Sequence, residues 1–297
     1  MTLRTKIIKR IVSLQTSGWS KGTIEEQRVS QEKSSRIARL PKDVRCQPLS
    51  ANGVPAELIQ AAGMDSGAIL YLHGGAYALG SIKTHREFVG RLASATGMRG
   101  LLLDYRLAPE HPYPAALEDA TAAYHWLIAQ GYEASQIMIA GDSAGGGLAL
   151  ATLLVLRDAG EALPAGAVCI SPWTDLASTG ESIQSKAQVD VVLDPNTLDL
   201  YAKAYAGEHD VRSPLISPLY ADLHGLPPLL IQAGADEILL DDATRCADKA
   251  RKAGVDVTLE IWDEMFHVFP LLPFIREAKE AVERIAAFAS RNLGAHG

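Results

Sequence analysis

Aromatic residues are scarce: nine Tyr, five Phe and four Trp make up 6% of the 297 residues. Stacking on nucleic-acid bases needs exposed aromatics, so that mode of recognition is not advertised. Cysteine is scarcer. Cys46, Cys169 and Cys246 form an odd set, far apart, with no C-x-x-C spacing. That excludes a disulfide framework, offers no metal site, and points to reduced thiols in a cytoplasmic protein, with Cys169 in a buried strand. Positive charge is in deficit. A net charge of −7 and a pI near 5.6 argue against nucleic-acid or anionic-membrane partners. No apolar run approaches the roughly 20 residues of a membrane span. The basic start, MTLRTKIIKRIVSLQTSGWS, lacks the unbroken apolar stretch of a signal peptide, because Lys9 and Arg10 interrupt it. Ile7, Ile8, Ile11, Val12 and Leu14 follow a helical period instead. The expectation is an amphipathic helix packed on the protein's own surface, without stable membrane insertion.

What is present is the composition of a globular protein, 47% hydrophobic and 21% charged. Two polar helical segments, about 2–17 and 22–38, come first and Pro41 closes them. VRCQPL and AELIQAA read as a strand pair, a hairpin across Ala51-Asn52-Gly53-Val54. Strands and helices then alternate. Short unbroken apolar runs such as AILYL, GLLLD and PPLLIQ suit strands covered on both faces. The alternation implies a largely parallel sheet. Residues of about 175–225 break the rhythm: no strand signal, a short helix after Pro195, then a proline-rich passage. This stretch reads as an insertion over one end of the sheet, joined there by residues 1–40 to form a cap on a 41–297 domain.

One turn carries the chemistry. In IMIAGDSAGGGLAL, Gly141-Asp142-Ser143-Ala144-Gly145 fits G-x-S-x-G between an apolar strand and an Ala-Leu-rich helix. A strand turning abruptly into a helix strains its middle residue and pushes that side chain outward, so side chains two residues to either side would collide. The plain alternative is a glycine-rich turn with Ser143 as a helix cap. A serine hydroxyl is a poor nucleophile without a base, so the turn calls for an acid and then a histidine further along.

LLIQAGADEILLDD supplies the acid. Asp236 falls just past the strand end and is chosen over the adjacent Glu237, while Asp241 and Asp242 suit the start of the next helix. His267, in IWDEMFHVFP, follows the acid and stands just beyond a late strand; it is chosen over the other seven histidines. YLHGGAYALG supplies backbone donors for an oxyanion at Gly74, Gly75 and Ala76, and Ala144 after the nucleophile adds another. Gly75, Gly80 and Lys83-Thr84 imitate a phosphate loop, but Ser81-Ile82 break the required contiguity. Tyr77, Trp173, Val192, Leu193 and Phe266 are candidate substrate-pocket walls.

HGGAY, DYRLAPEHPYPAA, GDSAGGG, DEILLDD and FH, in that order, resemble the hormone-sensitive-lipase-like family of bacterial carboxylesterases over about residues 68–290. The resemblance implies an α/β-hydrolase fold: a mostly parallel sheet of about eight strands flanked by helices, with a helical cap. It implies hydrolysis of short-chain esters, small-molecule substrates, with Ser143 as nucleophile, Asp236 as orienting acid and His267 as base, and no cofactor. It also implies oxyanion donors from Gly74 to Ala76 and from Ala144. Ala76 departs from a third glycine found in many members. Asp104, Arg106 and Glu110 are expected to pair beneath the site. Amide or lactone hydrolysis by the same triad stays open, as does a non-catalytic small-molecule binder on the same fold. VTLEIWD at an exposed sheet edge would allow a homodimer.

Overall fold

The computed structural model of the chain describes residues 3–16, 22–35, 39–63 and 66–294. Two helices lead, α1 (Leu3–Thr16) and α2 (Ile24–Ser35), followed by strands β1 (Val44–Ala51), β2 (Val54–Ala61) and β3 (Ala68–Leu72). Next come α3 (Ile82–Thr96), β4 (Arg99–Leu103), α4 (Ala115–Ala129), β5 (Ile137–Asp142), α5 (Ala144–Asp158) and β6 (Gly166–Ile170). The last part holds α6 (Ser182–Ser185), α7 (Pro195–Ala206), β7 (Leu229–Gly234), α8 (Leu240–Lys252), β8 (Val257–Trp262) and α9 (Arg276–Asn292). The eight strands form one sheet in the order β1-β2-β4-β3-β5-β6-β7-β8.

The hairpin expected across Ala51 to Val54 is present, with Ala51 opposite Val54. Asn52 and Gly53 have φ of 49° and 93°, the paired positive values that a two-residue hairpin turn needs. β2 also runs antiparallel to β4. Every remaining neighbour pair is parallel, out to β8 at the far edge. Every residue of β3, β5, β6 and β7 is buried, as unbroken apolar runs predict for strands roofed on both sides.

Alternation along the strands divides the apolar interior in two. Leu70, Leu72, Ile139 and Ile231 face α4, α5 and α8 through Ala120, Ala123, Leu148, Leu153 and Ala247. Ile69, Tyr71, Met138 and Leu230 face α3 and α9 through Phe88, Leu92, Val282 and Ile285. Cys169 on β6 and Cys246 on α8 are buried, while Cys46 on β1 is half-buried.

A third apolar group lies outside both layers. Ile8 and Val12 of α1 pack on Met265, Phe266 and Phe269, with Val191 and Val192 beside them. Ile7, Ile11 and Leu14 are exposed. The Gln27 side chain of α2 accepts a hydrogen bond from Tyr201 of α7. Arg28 donates to the carbonyls of Ala78 and Ala108, each at 2.8 Å, and pairs with Glu110. The expected cluster of Asp104, Arg106 and Glu110 therefore does not form. Arg106 is drawn instead to Asp119 and Glu118 of α4, which begins at Ala115 directly after Pro114.

Candidate active site

Ser143 sits between β5 and α5 with φ 53° and ψ −121°, a conformation that side chains other than glycine avoid. The glycines around it are demanded by space. A Cβ on Gly145 would lie 1.9 Å from the Leu72 carbonyl oxygen, and one on Gly141 would lie 2.3 Å from that of Gly145. The strand of the neighbouring loop therefore touches the turn itself. The Ser143 carbonyl accepts from the N–H groups of Gly147 and Trp173, which fixes the start of α5. Ser143 is 8% exposed and its Oγ lies 3.0 Å from His267 Nε2.

His267 lies between β8 and α9, walled by buried Phe266 and Phe269. Its Nδ1 faces Glu237 Oε2 at 3.5 Å, slightly longer than a formed hydrogen bond. Glu237 is completely buried. Ser171 Oγ donates to the same Glu237 oxygen at 2.7 Å and accepts from the Val268 N–H at 3.0 Å. Ser171 thus ties the acid to the histidine loop.

Asp236 is displaced from the role expected of it. Its carboxylate turns outward to Lys9 Nζ of α1, at 2.5 Å, with Lys186 Nζ at 3.9 Å. The physical reason is local: Asp236 and Glu237 are neighbours in a turn and face opposite sides, so only one can meet the imidazole. The Asp236 N–H donates to the Met265 carbonyl, which leaves Glu237 on the inner side.

Burial pulls the His267 imidazole down, but the facing Glu237 carboxylate, together with the charges of Asp190 and Asp142, outweighs burial and raises it above the ordinary histidine value. His73 shows the opposite balance: burial and the neighbouring His85 hold it down to about 3, so it stays neutral. His125 pairs with Glu161 at the surface.

The loop after β3 carries the proposed oxyanion donors. Gly75, Ala76 and Tyr77 have positive φ of 123°, 53° and 59°. Gly74 is corrected from the expected set. Its N–H donates to Asp142 Oδ1 at 3.0 Å and so is spent inside the protein. Tyr71 Oη donates to the same oxygen at 2.7 Å, and His85 Nε2 lies 3.4 Å from Oδ2. Asp142, the residue before Ser143, thereby pins the loop to the turn. Among the described residues, no hydrogen bond engages the N–H groups of Gly75, Ala76 or Ala144.

The candidate walls separate. Tyr77 and Trp173 are fully buried, and Tyr77 stacks on Tyr205 at 3.7 Å. Phe266 is packed under α1, and Val192 and Leu193 are half-buried beside it and the main interior. Asp190 accepts from the N–H groups of Val192 and Leu193 on Oδ1 and from that of Ile238 on Oδ2. Ser171, Asp190 and Lys9 escape a reading by motif, because each works through the fold's long-range contacts. Only the Glu237 position was visible in sequence, as the neighbour of the chosen acid.

A family model described as the alpha/beta hydrolase fold matches residues 69–271. An acetyl-hydrolase of Streptomyces hygroscopicus is 46% identical, the match covering 92% of each chain. An esterase of Acinetobacter venetianus is 40% identical over 83% of this chain and 82% of its own. A solved esterase from the bacterial hormone-sensitive lipase family superimposes with a TM-score of 0.95 at 44% identity, covering 99% of both chains.

Proposed function

Because this chain belongs to the α/β-hydrolase fold family and is a carboxylic ester hydrolase of its hormone-sensitive-lipase-like branch, we propose that Ser143, His267 and Glu237 are its catalytic triad. The 3.0 Å contact between Ser143 Oγ and His267 Nε2, on residues 124 apart in sequence, carries this reading.

Ser143 Oγ attacks the ester carbonyl carbon while His267 Nε2 takes its proton. Glu237 faces Nδ1 and stabilises the imidazolium that forms. The 3.5 Å separation tightens as charge appears on the ring. The N–H groups of Gly75, Ala76 and Ala144 hold the oxyanion. His267 then protonates the departing alkoxide, and water, activated by the same imidazole, releases the acid from the acyl-serine. Neither metal nor cofactor has a step in this sequence.

Acetyl and other short acyl esters are the proposed substrates, in keeping with the acetyl-hydrolase relative. α1, α2 and the segment of about 175–225 form the proposed cap, because both helices bond to that segment or to the site loops. The free thiols favour a reducing, cytoplasmic setting, and the exposed β8 edge is the proposed seam of a homodimer, which sedimentation would test. Ser143→Ala should lower kcat by roughly 10⁴- to 10⁶-fold on p-nitrophenyl acetate. An organophosphate should label Ser143. A chain that never labels and turns over neither esters nor matched amides would overturn the assignment in favour of a binder.

A further inference from the structure

Glu237 stands 3.5 Å from the imidazole it has to serve, and one of its own oxygens, Oε1, is buried with no hydrogen-bond partner among the described residues. Whatever sets the height of its loop therefore sets the relay. The loop is gripped from the segment of about 175–225. Ser182 Oγ donates to the Ile238 carbonyl at 2.6 Å, and the Asp241 N–H donates to Ser182 Oγ at 3.0 Å. Asp190 makes a further link, to the peptide that follows the acid. On one carboxylate it gathers the N–H of Ile238 at 2.9 Å, next to the acid, and those of Val192 at 2.8 Å and Leu193 at 3.0 Å. Val192 in turn packs in the group that holds Phe266 and Phe269, the flanks of His267.

We propose that Asp190 is a positioning residue that joins the Val192–Leu193 wall to the Glu237 loop, so that a substrate seated against the wall aligns the acid with His267. A carboxylate suits the task because three N–H donors can converge on its two oxygens, and each such charge-assisted bond is short and directional. Moving the wall toward a bound acyl group would draw the Ile238 N–H, and Glu237 with it. Small errors here are costly, since reacting groups must hold their geometry within a fraction of an ångström. The charge acts as well. The carboxylates that act on the imidazole are Glu237, which faces it at 3.5 Å from the loop after β7, Asp190 from the segment and Asp142 from β5. Lys9 of α1 and Lys186 both turn to Asp236.

This inference rests on the triad proposed above, and ester hydrolysis by the unaltered chain tests that triad separately. Asp190→Asn keeps the size, removes the charge and leaves one of the two sets of N–H donors facing an amide NH2 that cannot accept. It is expected to lower kcat roughly 10- to 100-fold with a small change in KM, and to move the acid limb of kcat/KM to lower pH. Asp194→Asn is the control: Asp194 caps α7 in the same segment without touching the acid loop, and it should leave the limb in place. Should Asp190→Asn fold poorly, amide exchange in the wild-type chain reads the same coupling. Peptides spanning 190–194 and 236–240 should gain protection together when an organophosphate occupies Ser143. An acid limb unmoved in Asp190→Asn, or one peptide responding without the other, would overturn the proposal. An active wild type with such results removes this inference alone; an inactive wild type removes the triad with it.

Discussion

Glu237 and Asp236 offer the sharpest test at the level of single residues. Glu237→Gln removes the charge that faces the imidazole and should lower kcat by about 10³- to 10⁴-fold, in line with loss of an orienting carboxylate. Asp236→Asn should keep kcat within about tenfold while weakening the hold of α1, because its partners are Lys9 and Lys186. Steady-state kinetics on one ester separate the two. The raised His267 value gives a second expectation. The base works only when neutral, and a raised pKa keeps the ring protonated to higher pH. The acid limb of kcat/KM should therefore lie above the ordinary histidine value of about 6.5, and a limb at or below it would contradict the balance of charges around the ring. Ser143 and its glycines were legible as candidates because a strained turn leaves a spacing behind, and His267 because it stands just beyond a late strand. The choice between adjacent acids was not. It depends on which side of one loop faces inward, and that is settled by a carbonyl of Met265 and a hydroxyl of Ser171, both remote along the chain.

Among the secondary-structure elements, the turn from β5 into α5 tolerates nothing larger than glycine at positions 141 and 145. Gly145→Ala would set a methyl against the Leu72 carbonyl at 1.9 Å and should cost at least the 1–3 kcal/mol typical of overpacking, read as a lower thermal midpoint. Helix α8 carries a different liability. Asp242, fully buried near its start, accepts from the N–H groups of Thr174 and Asp175, and burial pushes its carboxyl up to about 8. A carboxyl whose folded pKa is raised favours the folded state most where it is protonated in both states. That support declines as pH rises from about 4, the unfolded value, toward 8. Asp242→Asn should remove this part of the alkaline decline, which thermal melts from pH 5 to 9 would show. The sequence reading assigned Asp242 to helix-terminal charge, a role set by position within α8. Its bonds to Thr174 and Asp175 tie α8 to the segment after β6, and no local pattern announces them. The elements themselves were easier. The hairpin, the buried parallel strands and the start of α7 at Pro195 all follow from turn residues and apolar runs. Where the segment of about 175–225 packs did not, since its few apolar residues have no period of their own.

Across the whole molecule, α1 is both an outlying helix and part of the wall behind His267. Ile8 and Val12 cover Met265, Phe266 and Phe269, while Lys9 reaches the acid loop. Removing residues 1–16 should uncover that apolar group. The truncated chain should bind an apolar dye such as ANS and lose activity more steeply than it loses helix content. Equal activity with and without α1 would show that the histidine loop supports itself.

The distribution of sulfur has a practical use. Two of the three thiols are sealed inside, on β6 and α8, and burial pushes the Cys246 thiol up to about 12. Cys46, half-buried, is the only one of the three that is not fully buried while the chain is native. Mass spectrometry after a short iodoacetamide pulse should thus find a single added tag on intact molecules and three on those that have opened, so the protein carries its own ladder for counting unfolded copies in a mixture.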